Sequence, residues 1–149
     1  MLVDFYGCMQ MEVDNILDFQ NEIFSTVASD VRAAHEGTAV TGEYTRSPSV
    51  FPTVTLEETE NVTVGALMDS SGKEKYSGLT YRLQVFSNKA GGKKAEARDV
   101  FTTADNVMRR MGFRRVTYST TPEIYDSTIY SITATYEAIV DANGVIYKR

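Results

Sequence analysis

Residues 128–140 read TIYSITATYEAIV, and this stretch decides the fold. Every second residue from Tyr130 to Val140 is apolar or aromatic, whereas mainly polar residues, including Thr133 and Glu137, occupy the positions between them. Consecutive side chains of a β-strand point to opposite faces of its sheet, so this pattern predicts one long strand with a buried face.

The chain turns back directly after this strand. Residues 141–144 read DANG, and Asn-Gly is a strong signal for a tight hairpin turn. Residues 145–149, VIYKR, are then expected to form a short antiparallel strand beside the long one. Lys148 and Arg149 protect this strand from random pairing, because charged side chains discourage an edge strand from joining other chains.

Two strands and a helix are predicted immediately upstream. Residues 79–86 alternate regularly and predict a central strand, and residues 113–119 predict another strand before Pro122 breaks the chain. Between these strands, apolar residues recur at steps of three and four and end at Gly112, which predicts an amphipathic helix. Its apolar stripe consists of Ala97, Val100, Phe101, Ala104, Val107, Met108 and Met111.

The N-terminal part of the chain contains a second helical period. Apolar residues from Ile16 to Val31 recur at helical spacing and predict a helix over roughly residues 12 to 35, with an exposed acidic side. Two extended segments follow, near residues 39–45 and 53–60, and the prolines between them predict a stiff turn.

The segment from Asn61 to Gly78 has no sustained hydrophobic period. It contains three glycines and the turn-like sequence DSSG at residues 69–72, and it is longer than most connections inside compact domains. We expect it to be either a functional segment that orders against a neighbour or a flexible surface loop.

The order of elements predicts the fold class. One helix, three strands, a second helix and three more strands follow each other without a repeat or a linker. We therefore predict one α+β domain over residues 1–149, with a mixed, mainly antiparallel sheet of about five or six strands and two main helices packed on it.

The composition limits the class of protein. The chain has 149 residues, 42% of them hydrophobic, and a net charge of -5, which supports one folded core and opposes tight binding to a phosphate backbone. The single Cys8 cannot form an internal disulfide, and neither a signal peptide nor a membrane-spanning run is recognisable. We expect a protein that stays in a reducing cytoplasm and does not enter a membrane.

The residues with catalytic potential lack partners in the sequence. His35 is the only histidine, so neither a catalytic triad nor a zinc site is predicted. The turn at residues 91–94, GGKK, departs from the phosphate-binding pattern, and the acidic cluster from Glu57 to Glu60 with Asp69 is expected to face solvent. We predict no catalytic residues, no metal and no cofactor.

The sequence contains one basic patch, formed by Arg109, Arg110, Arg114 and Arg115. The first two complement the negative end of the second helix. Because the patch lacks the interleaved aromatic residues of a nucleic-acid surface, we expect it to meet an acidic partner. Acidic side chains elsewhere on the fold would then make the chain complementary to copies of itself.

Three segments occur in a characteristic order, namely FSNKAGGKKAE at residues 86–96, MGFRR at residues 111–115, and the stretch from STIY to IYKR at residues 127–149. Together with SVFP at residues 49–52 and the strand after it, they resemble the tail terminator, or tail completion, proteins of long-tailed siphophages over roughly residues 40 to 149. The resemblance implies a mixed sheet flanked by helices and a structural role in the virion.

In that family, six subunits form a ring that ends the tail tube. The resemblance therefore implies a homo-hexamer at the tail–neck junction of a virion assembled in the bacterial host cytoplasm. It implies the major tail tube protein and a head-completion or neck protein as partners. Genomic DNA would pass through the lumen without sequence-specific binding, which suits a negatively charged protein.

A ring requires two different surfaces that meet, because each subunit contacts the next in the same direction. The acidic helix side against the basic patch is one expected pair, and open strand edges are another. The candidate interface residues are Val64, Leu67, Met68, Tyr76, Arg109, Arg110, Arg114, Arg115, Lys148 and Arg149. The alternatives are another neck component, such as a head-closure or adaptor protein, and a monomeric small-ligand-binding or enzymatic α+β domain.

Overall fold

The computed structural model describes residues 17–46, 48–64, 76–122 and 126–148. Within these residues the chain forms two helices and six strands. In chain order they are α1 (Gln20–Ala34), β1 (Ala39–Thr41), β2 (Thr53–Thr63), β3 (Tyr76–Ser87), α2 (Lys93–Met111), β4 (Arg114–Pro122), β5 (Tyr130–Asp141) and β6 (Ile146–Lys148).

The six strands form one sheet with the order β1-β2-β3-β5-β4. β1 pairs with β2 in the parallel sense, and all other pairs are antiparallel. β6 pairs with residues 138–140 of β5, directly beyond the last residue of β5 that β4 covers, so β4 and β6 lie along the same side of β5. The predicted α+β fold with a mixed, mainly antiparallel sheet is confirmed.

Both helices share a single hydrophobic core with one face of the sheet. α1 buries Ile23, Val27 and Val31, and α2 buries the apolar stripe predicted from the sequence up to Met108. Burying one such aliphatic side chain contributes about 1.5–3 kcal/mol relative to leaving it in water. The core therefore anchors α2 to the central strands β3 and β5, and α1 packs mainly on α2 and β1.

The opposite face of the sheet is polar. Thr55 and Thr133 flank Gln84 there, with the Thr55 Oγ1 and Gln84 Oε1 atoms 3.5 Å apart and the Gln84 Nε2 and Thr133 Oγ1 atoms 3.4 Å apart. Arg82 forms an ion pair with Glu57 on the same face. Threonine fits a pleated surface well while its hydroxyl still binds polar neighbours, so these residues suit a polar face of the sheet.

α1 is shorter than the sequence predicts. It begins at Gln20 and not near residue 12, and residues 12–16 of the prediction lie outside the described residues. The backbone N–H of Gln20 donates to Asp18 Oδ1 at 3.1 Å. Gly37 adopts a φ of 85°, the left-handed conformation that is common just past the end of a helix.

The segment from Asn61 to Gly78 was predicted to lack regular structure, and this is wrong at both of its ends. β2 continues to Thr63 and β3 already begins at Tyr76, with Thr63 opposite Ser77. Val62 is exposed and Asn61 donates a hydrogen bond to the Leu17 carbonyl, so the ends of this ladder lack the alternating burial that the prediction required. Residues 65–75 lie outside the described residues.

β1 and β4, the strands at the two ends of the sheet order, also differ from their predicted lengths. β1 ends at Thr41, short of the predicted residue 45, because only Ala39–Thr41 pair with β2. β4 continues to Pro122, where the sequence predicted a break. Proline is tolerated at the end of an edge strand because its missing N–H is not needed there.

Candidate assembly surface

The turn between α2 and β4 brings the four arginines of the basic patch together. Gly112 ends α2 with a φ of 112°, and the backbone N–H groups of Gly112 and Phe113 donate to the carbonyls of Arg109 and Met108 at 3.1 and 3.0 Å. A Cβ at Gly112 would lie 3.1 Å from the Ile146 carbonyl oxygen in β6. Glycine is therefore required here for conformation and for space.

Each arginine of the patch has a carboxylate neighbour in its own chain. Arg110 lies 2.6 Å from Asp30 of α1, and Arg114 lies 3.7 Å from Glu137 of β5. The acidic side of α1 and the basic patch, which were expected to meet between neighbouring subunits, thus already touch within one chain. The side chains of Arg109, Arg110 and Arg114 are still 62%, 64% and 57% exposed, and their role between subunits remains a prediction.

Asp105 is the buried centre of this patch. Its Oδ1 atom accepts hydrogen bonds from the Tyr136 hydroxyl at 2.6 Å and from Arg115 at 3.1 Å, and Arg109 lies 3.9 Å from Oδ2. Burial, and then the contact with Asp105, raises the pKa of the Tyr136 hydroxyl, which keeps it protonated as a donor. These contacts tie α2 to β4 and β5.

Sequence reasoning missed Asp105 and Tyr136 as a pair. The available signal was a carboxylate next to the apolar stripe of α2, four residues before Arg109, where an ion pair along the helix is expected. The partner on β5 was not visible, because the sequence does not specify which residues of a helix and a strand will meet.

The second surface of interest is the outer edge of β2. β1 covers only Thr53–Thr55, and the residues that follow include Glu57, Glu58 and Glu60. The Tyr81 hydroxyl donates to Glu58 Oε1 at 3.2 Å. Burial raises the pKa of Glu58, the hydrogen bond from Tyr81 opposes that rise, and the charge of Asp18 adds to it.

A groove of about 420 Å³ runs beside this edge. Its walls come from the start of α1, the end of β1 and the middle of β2, and they include Phe24, Glu43, Leu56 and Glu58. The groove therefore combines apolar surface with two carboxylates directly beside the open part of β2.

In the part of the chain that the structure describes, four exposed apolar side chains lie on the opposite edge, while Tyr44, Val50 and Val62 are exposed in or near β1 and β2. Val116 and Tyr118 of β4 are 45% and 46% exposed, and Val145 and Tyr147 at β6 are 48% and 46% exposed. Tyr118 contacts Phe101 of α2 with its ring at 5.1 Å, so only its outer part faces solvent. Exposed apolar residues along an open strand are typical of a surface that joins another chain.

Of the remaining candidate residues, Val64 and Tyr76 lie where β2 ends and β3 begins, whereas Lys148 of β6 lies beside the arginine patch, opposite Ala138 and next to the Arg114–Glu137 pair. Val64 donates its backbone N–H to the Tyr76 carbonyl at 3.0 Å, and the rings of Tyr76 and Tyr147 are 6.4 Å apart, so the ends of β2, β3 and β6 meet. Leu67, Met68 and Arg149 lie outside the described residues.

The positions considered for chemistry have structural contacts. His35 Nε2 lies 2.8 Å from Thr103 Oγ1 and joins the end of α1 to the middle of α2. At the GGKK turn, Lys93 donates to the Ser127 carbonyl, and Ser87 donates to Glu96 at 2.8 Å, which fixes the first turn of α2 to β3. Within the described residues, no group of three or more His, Cys, Asp or Glu side chains is placed to hold a metal ion.

No described helix combines the length and the apolar character needed to cross a bilayer. No protein-family model matches the chain, and no curated protein matches it. Among solved structures, a chain of the virion of a native gene transfer agent particle is similar, with a TM-score of 0.55 and 18% sequence identity. The similarity covers 79% of this chain and 93% of that chain, and at this identity it concerns the fold.

Proposed function

We propose that this protein is a structural component of a phage-like particle that forms a ring at the end of the tail tube and joins the tail to the head or neck. The observation that carries the proposal is the fold shared with a chain from the virion of a gene transfer agent particle, over 93% of that chain. The sequence resemblance to tail terminators over residues 40–149 points to the same class of protein.

The surfaces of the domain suit assembly better than catalysis. The chain carries a basic cluster at the α2–β4 turn and an acidic edge on β2, at opposite ends of its sheet. A protein that ends a tube acts by shape, by pairing of edges and by charge, and needs no reacting group. We therefore propose a non-enzymatic function.

The proposed partners are copies of the same chain in a ring of six, the major tail tube protein and a head-completion or neck protein. Genomic DNA would pass through the lumen of the ring. The net charge of -5 favours passage without tight binding, because negative surface repels the phosphate backbone. The proposed location is the tail–neck junction of a virion assembled in the host cytoplasm.

The test is assembly of the purified chain with the tail-tube protein of the same particle. Light scattering gives the mass of the complex, negative-stain images give its shape, and the length distribution of tail tubes measures whether their growth is stopped. We expect rings that bind tube ends and prevent further extension. A chain that stays monomeric and leaves tube length unchanged would overturn the proposal.

The same experiment separates a terminator from another neck component. A head-closure or adaptor ring would bind the head-completion protein and ignore free tube ends. A terminator binds tube ends first and the neck protein afterwards. Binding to the neck protein alone would therefore reassign the chain to the neck and exclude the terminator role.

A further inference from the structure

Both ends of the sheet leave backbone groups available. Among the described residues, β4 pairs with β5 on its inner side and has no strand on its outer side. β1 covers Thr53–Thr55 of β2, and residues 57–62 of β2 have no described strand beyond them. Such N–H and C=O rows can pair with a strand of another chain.

The register of the sheet connects the two edges through a row of paired residues on the polar face. Arg114 of β4 lies opposite Glu137 of β5. Thr80 of β3 lies between Glu137 on one side and Glu60 of β2 on the other. Arg114 at one edge of the sheet and Glu60 at the other edge therefore belong to the same row of paired residues.

The neighbouring row lies on the face of the sheet that the helices cover, and it also has a basic residue in β4 and an acidic residue in β2. Arg115 lies opposite Tyr136, Tyr136 lies opposite Tyr81, and Tyr81 lies opposite Glu58. Two adjacent rows thus begin with arginine at β4 and end with glutamate at β2. In a sheet continued from copy to copy without stagger, both arginines would face glutamates of the next copy.

A third row matches apolar surface instead of charge. Tyr118 of β4 stands level with Leu56 of β2 through Ala134 and Leu83. Tyr118 is 46% exposed, and Leu56 forms part of the groove beside the β2 edge. The outer part of the tyrosine ring thus has a place to be buried in the next copy.

The strand directions also agree. β2 and β5 run in one direction, and β3 and β4 run in the other, because β2–β3, β3–β5 and β5–β4 are antiparallel pairs. Placing β4 of one copy beside β2 of an identically oriented copy therefore gives an antiparallel pair, which is the sense of most pairs in this sheet.

We propose that residues 114–118 of β4 in one copy pair with residues 56–60 of β2 in the next copy, with Arg114 facing Glu60, so that one sheet continues through the assembly. In this register the rest of β4 is level with Thr53–Thr55, which β1 covers, so the pairing between copies ends there. The inference rests on the proposed function, in which the chain assembles with copies of itself. It adds to that function which two surfaces of neighbouring copies come into contact. Each edge carries one sign of charge, so a two-fold pairing of like edges would bring like charges together, whereas head-to-tail pairing, the arrangement that a ring requires, brings opposite charges together.

The existing contact of Arg114 permits this pairing. Its distance of 3.7 Å from Glu137 and its 57% exposure describe a surface ion pair, which contributes little and leaves donors available for a second carboxylate. Arg115 is held by Asp105, so variants of Arg114 report on assembly with less effect on the folding of the chain.

The test is a pair of charge reversals, Arg114→Glu and Glu60→Arg. Each alone places like charges at the joint, and we expect roughly a tenfold or larger loss in the association constant per joint. The double variant restores the pair with reversed polarity and should recover the mass of the wild-type oligomer. An equimolar mixture of the two single variants should also recover it, as a ring of alternating copies.

Matched controls are Glu36→Arg and Lys94→Glu, which reverse exposed charges outside β2 and β4 and should leave the oligomer mass unchanged. A direct measure is disulfide formation in an Arg114→Cys/Glu60→Cys variant that also carries Cys8→Ser. Oxidation should give a ladder of covalent oligomers. An Arg114→Cys/Glu36→Cys variant in the same background should give none.

The outcomes separate this inference from the proposed function. Rings that keep the wild-type mass with both charge reversals, and that give no cross-linked ladder, would overturn the edge pairing and leave the ring-forming function in place. A chain that forms no oligomer and does not act on tube ends would overturn both.

Discussion

The hydroxyl of Tyr136 donates a 2.6 Å hydrogen bond to Asp105 Oδ1, so a carboxylate is buried between α2 and the centre of the sheet. Arg115 satisfies the same oxygen. We expect Asp105→Ala to lower the free energy of unfolding by about 2–4 kcal/mol, because it leaves a buried hydroxyl and a partly buried guanidinium without their acceptor.

Urea denaturation checks this expectation, with Asp99→Ala as the control on the exposed side of the same helix. The control should change the stability by no more than about 0.5 kcal/mol. Equal denaturation midpoints for the two variants would show that Asp105 does not anchor α2.

Gly112 has no substitute at the end of α2. Its φ of 112° is unfavourable for any side chain, and an added Cβ would meet Ile146 Cγ2 and the Ile146 carbonyl oxygen at 3.1 Å. Gly91 has a φ of 73°, and nothing lies within 4 Å of an added Cβ. Gly91→Ala therefore lowers the free energy of unfolding only through the left-handed conformation, by about 1–2 kcal/mol. We expect Gly112→Ala to destabilise the protein clearly more than Gly91→Ala in thermal unfolding, and similar melting temperatures would contradict the close contact with β6.

Glu58 makes the stability of the protein depend on pH. Burial raises its pKa above the ordinary value of 4.5, so the folded state holds this proton more tightly than the unfolded state does. Stability from this group is therefore greatest below about pH 4.5 and decreases as the pH rises through the raised pKa. Glu58→Gln should flatten this decrease, as measured by urea unfolding from pH 4.5 to neutral pH.

Glu60→Gln is the matched control for Glu58→Gln, because Glu60 is exposed and lies on the same strand. It should leave the decrease in stability above pH 4.5 as in the wild type. An unchanged pH dependence in the Glu58→Gln variant would show that the half-buried Glu58 carboxyl is not its source.

Asp141 organises the hairpin between β5 and β6. Its Oδ1 atom accepts hydrogen bonds from the backbone N–H groups of Asn143 and Val145 at 2.9 and 3.0 Å, and the Tyr147 hydroxyl donates to Oδ2 at 3.1 Å. These contacts, first of all the one from Val145, lower the pKa of Asp141, so its contribution to stability is present above its ordinary value of 3.8 and is lost as the pH falls through the lowered pKa.

Asp141→Ala should therefore speed amide hydrogen exchange over residues 143–148 at neutral pH, and the wild type should approach the variant in strong acid. Asp126→Ala removes a similar turn contact, with the Thr128 N–H at 2.9 Å, and should leave exchange in the hairpin unchanged. Equal exchange in all three proteins would exclude Asp141 as the organising group.

The strands and helices with strong periods were predictable from the sequence. The alternation from Tyr130 to Val140 is β5, and the apolar stripe that ends at Gly112 is α2. These patterns are visible because one face of each element is buried and the other is not. The DANG turn likewise predicted the β5–β6 hairpin.

The ends of β2 and β3 were not predictable in the same way. Their pairing near Thr63 and Ser77 depends on backbone hydrogen bonds, which any residue can form, and Val62 is exposed there.

The contacts of the candidate assembly surface could be predicted from the sequence only in part. The four arginines were found from their clustering, but their carboxylate partners and the row from Arg114 to Glu60 follow from strand register, which no local pattern encodes.

β1 has only three residues, and it occupies the start of the outer side of β2. If copies join through the edges of their sheets, this short strand limits the pairing, because a strand of another copy can pair with β2 only up to the residue next to Thr55. The open part of β2 then admits about six residues, roughly 20 Å of extended chain. Because pairing between copies must end at Thr55, β1 would fix the register in which one copy joins the next.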